Sequence, residues 1–392
     1  MDSPRRAGAH ALALLLGLGA GCNDYHAAPH PGLPQVVPRS ASLLSPLKLV
    51  TLLAIGDPLA DGLARFGGVL GGTAWWSAVG AEYGVGAAGA HVEVTGPPLA
   101  GTTITPIQIH DYIEAAAAAM PAAARDGNTL YLLYLPPGVA VLADVARGPN
   151  TDCKQFGGYH GSFGTRGDGF AVVQRCPALS GQSDLDTATV IASHEVIEAA
   201  VDTGSGYRLP AAPTGTPWHS DFTGLFALAG EAEVGDLCRG SYLRDGDYLL
   251  QRSWSNQRAA AGGDPCLPAS SKPWNAASTE AAWYQVPGAG SQITVTGWSS
   301  GEMGSWPVRA VVAASNRDKS MVALHFTQSR YASSDQTDIE NGGTATLQVG
   351  TSWPPGSWAV VFLVSYVVDS TSLHYYPDTD HFHVWPVGIY QP

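Results

Sequence analysis

The sequence predicts an α+β domain followed by an all-β, sandwich-like domain. Between residues 46 and 270, segments typical of strands and helices are mixed, whereas from Ser291 onward only short strands and turn signals follow, without helical periodicity. The length of 392 residues also fits two domains of about 150 residues each. We therefore assign residues 46–270 to the first domain and residues 285–392 to the second.

The first domain combines apolar strand candidates with helix candidates. Its predicted strands span residues 48–55, 129–135 and 170–175. Its predicted helices span residues 75–83, 106–124 and 184–202. Ser183 or Asp184 can cap the last helix, in which Val190, His194 and Ile197 fall on one face. The buried side of this helix therefore includes a histidine.

The second domain consists of short segments rich in β-branched and aromatic residues. The predicted strands span residues 293–298, 308–315, 321–328, 344–350, 358–368 and 381–387. A connector over residues 265–288, containing Pro, Ser and Gly, separates them from the first domain. About 105 residues of such sequence suit a β-sandwich.

Composition and charge exclude several classes of protein. The chain has 20 Lys and Arg against 33 Asp and Glu, and no stretch clusters the basic residues, so phosphate-neutralising nucleic-acid binding is not expected. A hydrophobic content of 45% with 11 Trp excludes wholesale disorder. The sequence has no P-loop, no G-x-S-x-G motif and no G-x-G-x-x-G after a strand, which leaves nucleotide binding and serine hydrolysis without support.

Residues 1–22 have the pattern of a secretory signal. Arg5 and Arg6 precede an apolar stretch, and small residues lead to Cys22. The ending GAGC resembles a bacterial lipobox, in which the cysteine is lipidated; an ordinary signal peptide is the alternative. Residues 23–45 are rich in Pro and Ser and are expected to form a linker. We expect an exported protein, either a bacterial cell-envelope lipoprotein or an extracellular protein, whose contact with a membrane is the lipid anchor alone.

The remaining cysteines predict two disulfides. Without Cys22, four are left, an even number that suits an oxidising compartment and allows three pairings. We favour Cys153 with Cys176 and Cys238 with Cys266, because these pairs close the shorter loops. No C-x-x-C pair occurs, so the sequence gives no sign of a thiolate zinc site.

The segment most indicative of chemistry is His194-Glu195-Val196-Ile197-Glu198 in the last predicted helix. Positions i and i+4 lie on one helix face, so His194 and Glu198 can bind one divalent metal. Glu195 is then placed to act as general base, as in H-E-x-x-H enzymes, and zinc accepts a carboxylate as its second ligand. The alternative is a core histidine with two solvated glutamates, because so short a pattern also occurs by chance.

A third ligand must come from another segment. Glu233 and Asp236 follow downstream, and we favour Asp236 because it lies two residues from Cys238, a predicted disulfide cysteine. His160 and His219 are further residues that can line the site. Glycines around His160 would allow a ligand or substrate to approach the backbone closely.

Several motifs, taken in order, resemble the plant phosphate-induced/EXORDIUM family and its secreted bacterial relatives. These motifs are Cys153, GYH (158–160), CP (176–177), ASHEVIEA (192–199), EVGDLC (233–238) and LQRSWSN (250–256). The resemblance covers residues 45–270 and not the C-terminal domain. It implies a zincin-like domain with a metal bound by His194, Glu198 and an acidic residue of the segment 233–238. The sequence departs from the bacterial pattern at Thr203, where a proline usually follows the aspartate.

Two functions follow from these observations. The first is a zinc-dependent peptidase with one Zn²⁺, acting on a peptide or protein substrate through water activated by Glu195. The second is a non-catalytic surface protein of EXORDIUM type that binds glycans or proteins. Aromatic residues of the second domain can stack on sugars, the candidates being Trp298, Trp306, Trp353, Trp358 and Trp385.

Overall fold

The structure is a computed structural model. It describes residues 25–38, 43–97, 99–121, 126–164, 167–178, 181–202, 207–210, 220–287, 290–367 and 382–392. Cys22, with the whole predicted targeting segment, and His219 lie outside the described residues. Within the described part of the chain, no helix combines the length and the apolar character needed to cross a membrane.

The first part of the chain is a mixture of helices and strands, as predicted. Its elements are β1 (Val37–Pro38), β2 (Lys48–Ala54), α1 (Ala60–Leu70), α2 (Ala74–Tyr83), β3 (His91–Gly96), β4 (Thr103–Ile104), α3 (Pro106–Ala119), β5 (Thr129–Tyr134), β6 (Ala140–Val141), β7 (Gly158–Phe163), β8 (Asp168–Val173), α4 (Asp184–Val201), β9 (Tyr207–Arg208), α5 (Phe222–Ala229), β10 (Tyr242–Asp245), β11 (Tyr248–Gln251), β12 (Ser253–Trp254), α6 (Asn256–Ala260) and β13 (Cys266–Leu267). Short 3-10 helices form at Thr151–Cys153 and Asp236–Cys238.

A five-stranded sheet in the order β3-β2-β5-β8-β7 forms the centre of this part. The first four strands are parallel, and β7 is antiparallel to β8 at one edge. Helices cover both faces: Leu130 and Leu132 of β5 pack in the cluster that includes α1, α2 and α4, whereas Tyr131 and Leu133 pack in the cluster that includes α3. Burial on both faces explains why the sequence of β5 is apolar throughout.

Helix α4 is fixed at its start and along its length. The Ser183 hydroxyl accepts from the Asp186 backbone N–H, and the Asp186 side chain accepts from Ser183 in return, which completes a capping box. Farther along, the Thr189 hydroxyl donates to the Leu249 carbonyl at 2.8 Å, and the Gln251 backbone N–H donates to the Ser193 hydroxyl at 2.9 Å. These bonds hold α4 against β11 and set its rotation.

The C-terminal part is β-rich, as predicted. Its strands are β14 (Asn275–Ser278), β15 (Trp283–Gln285), β16 (Ser291–Ser299), β17 (Trp306–Ser315), β18 (Val322–Phe326), β19 (Gln336–Ile339), β20 (Thr344–Thr351), β21 (Trp358–Tyr366) and β22 (Phe382–Tyr390). They form a four-stranded sheet, β14-β16-β20-β18, and a five-stranded sheet, β15-β22-β21-β17-β19. Strands β14 and β15 lie within the predicted connector, so this part begins about ten residues earlier than the predicted boundary.

The tryptophans proposed to stack on sugars lie mostly in the core. Trp298, Trp306, Trp353 and Trp385 are buried, and Trp358 is partly buried. An indole must expose one face to stack on a sugar ring. Four of the five are therefore part of the hydrophobic core and have no face open to a sugar ring.

Residues 25–38, which we call the N-terminal segment, differ from the predicted flexible linker. They contact both parts of the molecule. The Ala28 backbone N–H donates to the side-chain oxygen of Asn341 at 2.9 Å, and His30 stacks on Trp298 with ring centroids 3.9 Å apart. At the other end, Val37 and Pro38 form β1, which pairs with β9. The Pro- and Ser-rich composition suggested a tether, but Leu33 and Val36 are buried and give the segment its own packing surface.

Both predicted disulfides are present. Cys153 is bonded to Cys176 and Cys238 to Cys266, with Cα–Cα distances of 5.4 and 6.0 Å. The first loop encloses strands β7 and β8, and the second joins the 3-10 helix Asp236–Cys238 to β13. Each bond thus restrains a segment that carries candidate site residues.

Asn256 offers a test of the N-terminal segment. Its side chain accepts from the Val36 backbone N–H at 2.9 Å and donates to the Val36 carbonyl at 2.6 Å. We expect Asn256→Ala to lower the free energy of unfolding by about 1–3 kcal/mol, because two backbone groups lose their partner. Urea denaturation measures the loss, and limited proteolysis should cleave the segment faster. Gln257→Ala, at an exposed neighbouring position, is the control; equal stability and cleavage of the two variants would contradict the packing described.

Candidate metal site

Two histidines and four acidic residues that the sequence marked as candidates line a cleft of about 410 Å³ at the β7 edge of the central sheet, which Asp202 and Arg208 also line. They come from three separate segments: His160 on β7, His194, Glu195 and Glu198 on α4, and Glu233 and Asp236 after α5. All six were candidate residues in the sequence. The structure therefore brings together every predicted metal ligand, the predicted base and one of the two predicted lining histidines.

Glu198 lies at the centre of this cluster. Its carboxylate oxygen Oε1 accepts from the backbone N–H groups of Gly235 and Asp236, at 3.0 and 3.1 Å. Its other oxygen, Oε2, lies 3.0 Å from His194 Nε2 and 3.6 Å from His160 Nδ1. One oxygen is thus held by the backbone, and the other faces both imidazoles.

In Asp236 and Glu233 as well, one carboxylate oxygen is held by a neighbouring group and the other faces a histidine. Asp236 Oδ2 accepts from the backbone N–H groups of Ala232 and Glu233, both at 3.1 Å, whereas Oδ1 lies 3.8 Å from His194 Nε2. Glu233 Oε1 contacts the Arg208 guanidinium, and Oε2 lies 3.6 Å from His160 Nε2. The predicted alternatives therefore approach different histidines: Asp236 faces His194, and Glu233 faces His160.

Glu195 lies between α4 and the edge strand. Its Oε2 is 3.2 Å from His160 Nδ1, and its Oε1 is 4.0 Å from His194 Nε2. A Cβ atom at Gly158 would come within 2.7 Å of Glu195 and 2.6 Å of the Val172 carbonyl oxygen. The glycine before His160 thus admits the Glu195 side chain, whereas the sequence suggested that it admits a ligand or substrate.

Two further residues complete the site and had not been singled out in the sequence. The Gln251 side-chain amide lies 2.8 Å from His194 Nδ1 and donates to the Gly235 carbonyl at 2.8 Å. This contact leaves His194 Nε2 directed at Glu198. Gln251 falls in the segment 250–256, which carries part of the family resemblance. That resemblance is the sequence signal that could have pointed to this residue, although it does not indicate the contact with His194. Arg208 had no such signal, because its role depends on contacts with Glu233 and with Asp202 at 3.5 Å.

Burying several ionised carboxylates together costs free energy unless a cation compensates their charge. Burial raises the pKa of Glu198, and the nearby carboxylates of Asp236 and Glu233 raise it further, so that it reaches about 8 despite the opposing effect of His194. Burial lowers the pKa of His160, but Glu195, Glu198 and Glu233 outweigh it and raise the pKa to about 9. Protons and a metal ion compete for such donors. The cluster therefore has a high affinity for positive charge.

The donor set fits a divalent metal ion. Sets of donor atoms that all lie within 4.8 Å of one another form at His160, Glu198 and Glu233, and at His194, Glu195 and Glu198. Imidazole and carboxylate are ligands that zinc accepts. The structure thus contains groups that can bind a metal, and it does not identify the ion. A third set, on the exposed surface of α3, lies at His110, Asp111 and Glu114.

A larger cavity, of about 500 Å³, lies beside the disulfide between Cys153 and Cys176. Its lining residues include no histidine, and the one basic residue among them, Arg175, pairs with Asp57 at 2.7 Å. The smaller cleft is therefore the one of the two that contains the predicted metal ligands.

Comparisons with known proteins add little to this description. No family model and no curated protein matches the chain. Among solved structures, it is similar to WR4, a member of the MSP family from C. elegans, with 11% identity and a TM-score of 0.22. The match covers 30% of this chain and 97% of that one.

A substitution at Gly235 tests whether the close packing around His194 and Glu198 is needed for metal binding. A Cβ atom there would lie 2.7 Å from His194 Nδ1 and 2.8 Å from Glu198 Oε1. We expect Gly235→Ala to weaken Zn²⁺ binding about 10–100-fold, because both side chains must move. Isothermal titration calorimetry measures this change, with Gly263→Ala as the control, since a Cβ atom at Gly263 meets nothing within 4 Å. Unchanged affinity in Gly235→Ala would place the metal away from this cluster.

Proposed function

We propose that this protein is a zinc-dependent peptidase, exported and anchored through a lipid at Cys22. The observation that carries the proposal is the convergence of six ligating or acid–base side chains from three distant segments around the buried carboxylate of Glu198. Buried carboxylates at this density are retained where a metal or a catalytic role compensates their cost. His194, Glu198 and Asp236 would hold the ion, with Glu195 free to act as the base.

The role proposed for each side chain follows from its contacts. A zinc ion bound here would act as a Lewis acid toward water and toward a substrate carbonyl. Glu195 would take a proton from the attacking water, since its carboxylate faces the cleft and is not bonded to the backbone groups that hold Glu198. His160, whose Nδ1 lies 3.2 Å from Glu195, would orient this carboxylate, and the proton would pass from Glu195 to the leaving amine.

A peptide is the substrate that best suits the position of the cleft. Strand β7 is the edge of the central sheet, and its other side pairs with β8. A sheet edge has free backbone donors and acceptors that can bind an extended peptide as an added strand. Because His160 lies in β7, a peptide bound along this edge would pass the metal ligands.

Further features support the finer parts of the proposal. The mainly parallel sheet with one antiparallel edge strand beside the helix of the H-E-x-x-E motif suits a zincin-like domain, as the resemblance to the EXORDIUM relatives implies. Two disulfides suit a protein exported to an oxidising compartment. The C-terminal domain would position the substrate or bind a partner at the cell surface.

Replacing the base separates hydrolysis from metal binding. We expect Glu195→Gln to reduce the hydrolysis of a peptide library at least about 100-fold, because the amide cannot accept the proton. Metal content should stay at the wild-type level. Mass spectrometry of the cleaved library and elemental analysis of the variant measure the two quantities.

Glu302→Gln is the matched control, because Glu302 is exposed in the C-terminal part and lies outside the cleft and outside every possible metal-binding set described above. It should retain both activity and metal. Wild-type protein that contains zinc and cleaves no peptide would contradict the peptidase proposal. Loss of metal in Glu195→Gln would instead show that Glu195 is a metal ligand and not the base.

A further inference from the structure

We infer that the cleft binds a second divalent cation, held by His160, Glu198 and Glu233, beside the one at His194. The inference rests on the proposed function only in sharing Glu198 with the first ion. The site would then hold a pair of ions bridged by one carboxylate, in place of a single zinc ion.

The grouping of the donor atoms is the first support. The two sets of mutually close donors in the cleft have one member in common, Glu198. Among the described residues, no such set contains both His160 and His194. A single ion bound by both imidazoles would need donors from two separate sets to move together, whereas two ions, one at each imidazole, would share only Glu198.

The geometry of Glu198 is the second support. The backbone holds Oε1, so Oε2 alone faces the imidazoles of His194 and His160, from 3.0 and 3.6 Å. Two-metal hydrolytic sites hold their ions about 3.5–4 Å apart. One carboxylate oxygen that faces two imidazoles suits a bridge between such ions.

The second set also has its own supporting contacts. Arg208 binds Oε1 of Glu233 and leaves Oε2 facing His160 Nε2 at 3.6 Å. Arg208 is itself held by β9, which pairs with β1. The Glu233 side chain therefore has a partner of its own in Arg208, whereas its backbone N–H donates to Asp236 Oδ2.

Charge favours the second ion as well. The cleft is lined by five carboxylates and by a single guanidinium, that of Arg208; the carboxylates are those of Glu195, Glu198, Asp202, Glu233 and Asp236. With neutral imidazoles, one divalent cation leaves this buried cluster negative. A second cation compensates the remainder, on the side where Glu233 faces His160.

Metal stoichiometry tests the inference on the purified full chain. After saturation with Zn²⁺ and removal of excess, elemental analysis should find two zinc ions per chain in the wild type and one in Glu233→Gln. The substitution is isosteric and leaves an oxygen for Arg208, so the fold should persist. Glu231→Gln is the matched control, because Glu231 is a neighbouring carboxylate that pairs with Arg239 at 2.8 Å, outside the cleft lining. It should retain two ions.

A second measurement detects the pairing of the two ions directly. Loading with Mn²⁺ should give the electron paramagnetic resonance spectrum of a coupled pair in the wild type and of an isolated ion in Glu233→Gln. One zinc per chain at saturation, or two ions in Glu233→Gln, would overturn the inference. These outcomes are distinct from failure of the peptidase proposal: two bound ions without hydrolysis would support the paired site alone, and hydrolysis with one ion would support the peptidase alone.

Discussion

A carboxylate removed from water must be compensated, and Glu198 is the residue where this constraint acts most strongly. It lies inside the molecule, one turn along α4 from His194, with four other carboxylates in the same cleft. Hydrogen bonds from two backbone N–H groups stabilise one of its oxygens, and two imidazoles face the other. The remaining features of the site serve either to supply these partners or to hold them in place.

The partners come from segments that are far apart in sequence, so each needs its own restraint. His160 lies in an edge strand within the loop closed by Cys153 and Cys176. The backbone groups that bind Glu198 belong to the turn that ends at Cys238, which is bonded to Cys266. Two covalent bonds thus restrain the two segments that face α4, and they limit how far the site can open in the absence of an ion.

The sequence was most informative where the relevant contacts are local. Helical periodicity alone was enough to put His194 and Glu198 on one face, because four residues span about one turn. The choice between Asp236 and Glu233 could not be made from the sequence, since both follow α5 closely. In the structure the two residues differ in orientation, with Asp236 facing His194 and Glu233 facing His160.

Features that depend on distant contacts could not be predicted. Arg208 gains its role from Glu233, and Gln251 gains its role from His194, 57 residues away. Helix α1 was missed because Gly62 and Gly67 weaken its helical signal, although packing against the sheet stabilises it. The N-terminal segment was taken for a linker on its Pro- and Ser-rich composition, which says nothing about the few apolar residues that bury it.

That segment shows why the predicted domain boundary does not isolate the site. Strand β1 pairs with β9, and Arg208 of β9 holds one oxygen of Glu233. The opposite end of the segment is bonded to Asn341 and stacked on Trp298 in the C-terminal domain. One support of the cleft is therefore connected through residues 25–38 to the β-domain. A fragment cut at residues 46–270 would keep the metal ligands and lose this support, so the cleft is a property of the whole chain rather than of its first domain.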